Sequence, residues 1–243
     1  MSAGETAPAD IGTLLGVWAH PDDEAYLSSG LMAEVRRADG RVVVATATRG
    51  EHGTDDPVTW PPERLGPHRE QELRESLAIV GVDEHRWLPH RDGELSAVPT
   101  AHGAAELVTI LEQVRPDTIV TFGPEGMTGH DDHRTISAWA TRAWQLTGCR
   151  GDLWYATLTP EFHEEWGPLN DDVGLWFEGS RPPSTPTSDL AAHVHLTGRR
   201  LAQKHRALRA HASQTSALEA LVGSARYLSW WADESFVAAK SQR

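Results

Sequence analysis

The chain repeats one pattern: a short apolar run, a polar turn, then apolar residues at helical spacing. "TLLGVWA" from Thr13 reads as a first strand, and Tyr26 to Ala38 as a helix stopped by Gly40. "RVVVATAT" from Arg41 is a second strand with a β-branched run. After the polar, Pro-rich "EHGTDDPVTWPPERLGP", the helix "HREQELRESLAIVGV" carries Leu73, Leu77 and Val80 on one stripe, with Gly81 as its stop. "EHRWLPH" is a short strand, 101–114 a helix and "TIVTFGP" a strand. "HDDHRTISAWATRAWQLTG" follows as a helix with Ile136, Ala140 and Trp144 inward, and "GDLWYATLT" as a further strand. Such alternation predicts an α/β fold built on a parallel or mostly parallel sheet.

The rhythm breaks from Pro160 to Leu190, a stretch with scattered Trp166, Trp176 and Phe177 and the low-complexity "SRPPSTPTSD". A loop of that length in a compact domain is functional or disordered, and 160–190 reads as a lid or substrate loop. One long helix, "TGRRLAQKHRALRAHASQTSALEALV", is expected after it. There is no internal repeat. Residues 1–10 read as a disordered leader and 11–243 as a single domain.

Charge and cysteine content narrow the function. Asp and Glu number 35 against 22 Lys and Arg, a formal net charge of -13, which argues against nucleic-acid or anionic-membrane partners. No apolar run reaches bilayer length, and "MSAGETAPAD" lacks a basic region followed by an apolar core, so a cytoplasmic location is expected. Cys149 is the single cysteine, and it can form neither an internal disulfide nor a thiolate metal site. Any transition metal must therefore be held by carboxylates and by some of the 13 His.

Two clusters could do this. "AHPDDE" lies where the first strand gives way to a helix, at the strand end where open α/β sheets bind ligands. Asp22, Asp23 and Glu24 could be simple first-turn acids. A metal reading also uses His20: the imidazole and the Asp three residues on converge as the chain turns, and the neighbouring Asp stays free to accept a proton. The second cluster, "TFGPEGMTGHDDHR", places His130 and His133 at i, i+3, on one face of a helix start. Its bland reading has Asp131 and Asp132 as a cap and first-turn acids. One metal accounts for both clusters.

These motifs, with "TRGEHG" at Thr48–Gly53 and "KHRALRAHASQ" near the C-terminus, resemble those of the PIG-L (LmbE-like) zinc-dependent de-N-acetylases. The resemblance implies a Rossmann-like three-layer sandwich with its active site at the carboxyl ends of the strands. It implies His20, Asp23 and His133 as metal ligands, Asp22 as general base, and His130 as the imidazole that stabilises the oxyanion or protonates the leaving amine. It implies Asp132 as the carboxylate orienting His130, with Glu24 in support. The cofactor expected is Zn2+, and such a donor set also suits Fe2+, Co2+ or Mn2+. Asp131 stands where the family usually has Pro, and Thr128 where its mycothiol-pathway members carry Tyr.

The expected activity is removal of an acetyl group from an N-acetylated amino sugar or glycoconjugate of the N-acetylglucosaminyl type. An amidase for a larger acyl or thiol conjugate is the alternative within enzymes. A non-catalytic α/β ligand-binding protein is the alternative outside them, although no strand is followed by G-x-G-x-x-G or a P-loop. The partner expected is a small N-acetyl sugar or conjugate, and a homo-oligomer is left open. Arg69 and Asp92 correspond to sugar-contacting positions of the family, and Glu51, which follows the second strand, either lines the pocket or bonds Arg49. Arg69 could instead pair with Glu70 or Glu72 on its helix, and Asp92-Gly93 could be turn chemistry. His52, His68, His85, His90 and His102 are read as ordinary polar residues, and His211 as helix packing or catalysis. Trp166, Trp176 and Phe177 either stack on a sugar or pack inward.

Overall fold

The apolar runs form the middle of one sheet, described here from a computed structural model that covers residues 8–177 and 181–240. Among these residues the sheet has seven strands: β1 (Thr13–Trp18), β2 (Arg41–Thr46), β3 (Glu84–Trp87), β4 (Thr118–Phe122), β5 (Asp152–Thr157), β6 (Ala192–His195) and β7 (Asp233–Ala238). Their spatial order is β3-β2-β1-β4-β5-β7-β6. The first five are parallel, and β7 runs antiparallel to both β5 and β6. β1, β2 and β4 are buried almost throughout, as strands covered on both faces must be.

The helices are α1 (Asp23–Leu27), α2 (Ser29–Arg37), α3 (Pro62–Ile79), α4 (Thr100–Val114), α5 (Asp131–Leu146), α6 (Pro160–Asp172), α7 (Gly198–Ala210), α8 (Ala212–Val222) and α9 (Ser224–Trp230). α4 packs on α5, while α2 and α3 pack on α7. Right-handed crossovers on either side of β1 put these two sets on opposite faces. No helix among the described residues is long and apolar enough to cross a membrane.

The strand order decides where chemistry can occur. The chain leaves β1 through β2 and β3, then returns to the other side of β1 as β4, pairing Leu14 with Thr118 and Gly16 with Val120. The carboxyl ends of β1 and β4 therefore open side by side at a switch point, where α/β sheets hold their ligands. "AHPDDE" and "GHDDH" are the segments that leave these two ends.

Four local expectations change. Residues 8–10 form a 3-10 turn, and the rest of the expected disordered leader lies outside the described residues. The 160–190 segment contains α6, capped by the Thr159 hydroxyl, which accepts from the Phe162 amide, and begun by Pro160; residues 178–180 of the expected lid are not among those described. The long C-terminal helix is two helices broken at His211. Strands β6 and β7 and helix α9 were not foreseen. β7 is tied inward by Glu234, whose carboxylate accepts from the Gly30 and Leu31 amides at 2.7 and 2.8 Å and from Lys204 Nζ at 2.6 Å. Lys204 and Glu234 are both buried and also link α7 to the start of α2.

Candidate active site

His20 leaves β1 with its backbone amide donating to Asp23 Oδ2 at 2.7 Å, which folds the motif into a tight turn. Its ring Nε2–H faces Asp92 Oδ1 at 3.0 Å and Asp132 Oδ2 at 3.2 Å. His133 sits in the first turn of α5, its ring stacked on Phe122 with centroids 4.1 Å apart, and Nδ1–H donates to the Gly126 carbonyl at 3.0 Å. With both rings neutral, these partners leave lone pairs on His20 Nδ1 and His133 Nε2, which stand 3.1 Å apart. Asp23 closes the triangle, with Oδ2 3.7 Å from His20 Nδ1 and Oδ1 3.4 Å from His133 Nε2. Donors of a tetrahedral ion bound at about 2.0–2.1 Å stand about 3.3 Å apart, so the two ring nitrogens match that spacing, and Asp23 approaches each of them through a different oxygen. Lone pairs and a carboxylate oxygen this close repel unless a cation or a shared proton lies among them. The residues present thus fit a divalent transition metal.

Without a metal ion, the carboxylates around His20 favour a proton there. Burial lowers the His20 pKa, but the carboxylates of Asp132, Asp92 and Asp23 outweigh it and push it up to about 10. Burial, with the negative charges of Asp22 and Glu24, raises Asp23 to about 8 despite the attraction of His20. His133 is held well below its ordinary range by burial and by the nearby His20.

His130 is the N-cap of α5, and its Nδ1 accepts the Asp132 amide at 3.1 Å. One ring nitrogen each of His20, His130 and His133 lies within 4.8 Å of the others. Burial and the proximity of His20 lower the His130 pKa. The Asp132 carboxylate does not hold His130 in the way the resemblance implied. It is fully buried, with Oδ2 accepting from the Gly93 amide at 2.7 Å and Oδ1 from the Leu95 amide at 3.1 Å, and its side-chain partner is His20. At the second position of α5 its carboxylate meets His20, the residue that leaves β1, while its backbone amide meets the His130 ring.

Asp22 has a backbone φ of 112°, a conformation that side chains avoid at a cost of about 1–3 kcal/mol. Arg69 braces the turn: Nη2 donates to the Pro21 carbonyl at 2.5 Å and to Asp22 Oδ2 at 3.2 Å, and Nη1 donates to the Gly50 carbonyl at 2.7 Å. Gly50 is required there, because a Cβ would stand 2.1 Å from Arg69 Nη1. Burial raises the Asp22 pKa, and Arg69 opposes that shift.

A family model described as GlcNAc-PI de-N-acetylase, PIG-L, matches residues 15–144. The 1D-myo-inositol 2-acetamido-2-deoxy-alpha-D-glucopyranoside deacetylase of Salinispora arenicola is 32% identical over 236 residues, covering 83% of this chain and 75% of the relative. The chain belongs to the PIG-L family. Its fold is shared with the N,N'-diacetylchitobiose deacetylase of Pyrococcus horikoshii, at TM-score 0.70 and 21% identity over 98% of this chain and 87% of that one. It is shared too with the 4-carboxy-2-hydroxymuconate hydratase of Pseudomonas putida, at TM-score 0.63 and 13% identity over 95% and 97% of the two chains. The PIG-L fold alone therefore does not fix the reaction.

In this PIG-L member a cavity of about 550 Å³ lies over the His20–His133 pair. His20, Asp22, Asp23, Arg69, Asp92, His130 and His133 line it. Glu51 does not: Oε1 accepts the Asp92 amide at 3.1 Å, so this residue shapes the neighbouring loop. Arg69 is not a surface ion-pair partner, since Glu70 takes Arg49 and Arg74 while Glu72 takes Ser213. Asp92 accepts the His52 amide at 2.9 Å as well as facing His20, and these partners hold its carboxyl low against burial. His52 and Gln214 also line the cavity, a role that no spacing in the sequence indicated. Trp176 and Phe177 line it too, whereas Trp166 packs inward with Tyr227, Trp230 and Trp231.

Proposed function

We propose that this PIG-L member hydrolyses the acetamide of an N-acetylated amino sugar or its conjugate, using a divalent metal ion held by His20, Asp23 and His133. Zinc is the first choice, and the same donors suit Fe2+, Co2+ or Mn2+. The observation carrying the reading is the convergence of His20 Nδ1, His133 Nε2 and the Asp23 carboxylate, with both rings locked by partners on their other nitrogens. The deacetylase names of the relatives support the substrate class.

Bound there, such an ion lowers the pKa of a water to roughly 7 and polarises a carbonyl. Asp22 takes a proton from the attacking water, with Arg69 at 3.2 Å favouring its ionised form beforehand. His130 has Nδ1 occupied by a backbone N–H, so its other nitrogen carries the proton and faces the developing oxyanion as a neutral donor. The proton taken up by Asp22 is returned to the departing amine, which leaves acetate and a free amino sugar. Asp92, His52, Arg69 and Gln214 supply polar contacts in the cavity.

A second reading is favoured by the apolar side chains that also line the cavity, Leu158, Phe162, Leu175, Trp176 and Trp231 among them. Such a lining suits an apolar group, and an amidase for a larger acyl or thiol conjugate has use for one. Acetate release from N-acetylglucosaminyl conjugates, measured with metal content, tests both. The expected result is stoichiometric metal and acetate release in the wild type, and neither in His133→Ala. Full activity in His133→Ala refutes the metal assignment, and release of larger acids without acetate favours the second reading.

A further inference from the structure

The side chains of Glu24 and His211 are 187 residues apart in sequence, yet Glu24 Oε1 accepts His211 Nε2–H at 2.8 Å, and both are fully buried. The other oxygen of Glu24 is also committed, since Oε2 accepts the Asp22 amide at 3.0 Å. The carboxylate thus bridges the strained Asp22 backbone and a ring from the far end of the chain. Among the described residues its one further side-chain donor is the Ser76 hydroxyl, at 3.4 Å.

His211 is itself well placed to serve as an anchor. It occupies the break between α7 and α8, and its carbonyl accepts the Gln214 and Thr215 amides at 2.9 and 3.0 Å. The residues after it bind neighbouring parts of the site. Ser213 donates to Glu72 through its amide at 2.7 Å and its hydroxyl at 2.6 Å, and Gln214 Nε2 donates to the Gly53 carbonyl at 3.1 Å. The 211–214 segment therefore holds the Asp22 turn, helix α3 and the 50–53 loop together.

We propose that His211 and Glu24 are positioning residues that hold the Asp22 backbone at positive φ and so aim its carboxylate into the cavity. Without His211, a buried carboxylate keeps only a long hydroxyl contact on Oε1 and must reorient to find another donor. Reorientation releases the Asp22 amide, and the turn relaxes toward an unstrained conformation. The claim rests on the reading of Asp22 as the base, and it also makes a statement about the backbone that can be checked without turnover.

The test uses metal-loaded full-length protein as wild type, His211→Ala, His211→Gln, Glu24→Gln and Asp22→Asn, plus the Asp22→Asn/His211→Ala double variant. The probes are N,N'-diacetylchitobiose and N-acetylglucosaminyl-inositol, with kcat, KM and metal per chain measured for each variant. His211→Ala and the near-isosteric Glu24→Gln are expected to lower kcat about 10–100-fold with KM and metal unchanged. His211→Gln, which keeps a donor for Glu24, restores most of the rate. In the Asp22→Asn background His211→Ala costs nothing further, because both changes act on one group. Amide exchange at Asp22 is followed by NMR in parallel, and it should quicken about 10-fold or more in His211→Ala and Glu24→Gln but not in His211→Gln. Unchanged exchange at Asp22 in both variants overturns the proposal, as does a rate loss that multiplies with that of Asp22→Asn. A wild type that releases no acetate refutes the deacetylase reading instead, and the exchange result still decides the positioning role.

Discussion

Replacing Asp132 by Asn separates two roles for one carboxylate. Oδ2 lies 2.7 Å from the Gly93 amide and 3.2 Å from His20 Nε2, and Oδ1 lies 3.1 Å from the Leu95 amide. Asn retains one acceptor and presents an NH2 group to the donors on the other side. Partners on the far nitrogen of a metal-binding imidazole are worth about 10–100-fold in metal affinity or activity. His20 keeps Asp92 Oδ1 at 3.0 Å, so Asp132→Asn is expected at the low end, about 10-fold or about 1.4 kcal/mol. The Asp92→Asn/Asp132→Asn pair should approach the upper end, about 100-fold. The assay is competition of apo-protein with a chromogenic chelator for Zn2+, run beside His130→Ala, which should bind metal normally. If Asp132→Asn binds Zn2+ as tightly as the wild type while losing kcat to the same extent as His130→Ala, the carboxylate acts through His130 and not through His20.

Lys204→Met should destabilise the fold by about 3–5 kcal/mol, seen as a lower urea midpoint, because it strands the buried Glu234 carboxylate without its cation. The Arg209 guanidinium, with Nη2 at 2.6 Å, holds the Glu219 carboxyl down to about 2, which joins α7 to α8. A lowered carboxylate contributes stability that is complete above its unfolded value of about 4.3 and is lost as pH falls toward the folded one. Arg209 is half exposed, so about 1 kcal/mol should disappear between about pH 4 and pH 2 in wild type but not in Glu219→Gln; identical pH–stability curves for the two refute this. Gly103→Ala sets about 1 kcal/mol of gained helix propensity against a Cβ 2.1 Å from the buried Trp139 ring. Overpacking against a rigid indole costs about 1–3 kcal/mol, so net destabilisation is expected, and a raised thermal midpoint would contradict it.

Runs such as Val42–Val44 and Ile119–Val120 announce buried strands, and the stripe of Leu73, Leu77 and Val80 announces a helix, because periodicity reports which face meets the core. The sequence therefore determined the α/β class, and it marked His20–Glu24 and His130–His133 as unusual, since polar clusters between apolar segments stand out locally. It was silent about β6, four residues at the sheet edge, about β7, whose first half Asp233–Ser235 is polar, and about α6, whose two prolines read as loop. What only the tertiary structure decided is which groups meet. The switch in strand order sets His20 Nδ1 3.1 Å from His133 Nε2, turns Asp132 toward His20 rather than His130, and brings His211 to Glu24. Each of these pairings joins residues more than a hundred positions apart, and neither composition nor local spacing encodes such a distance. It is set when helices and strands pack, at which point buried charges must find partners wherever the fold brings them.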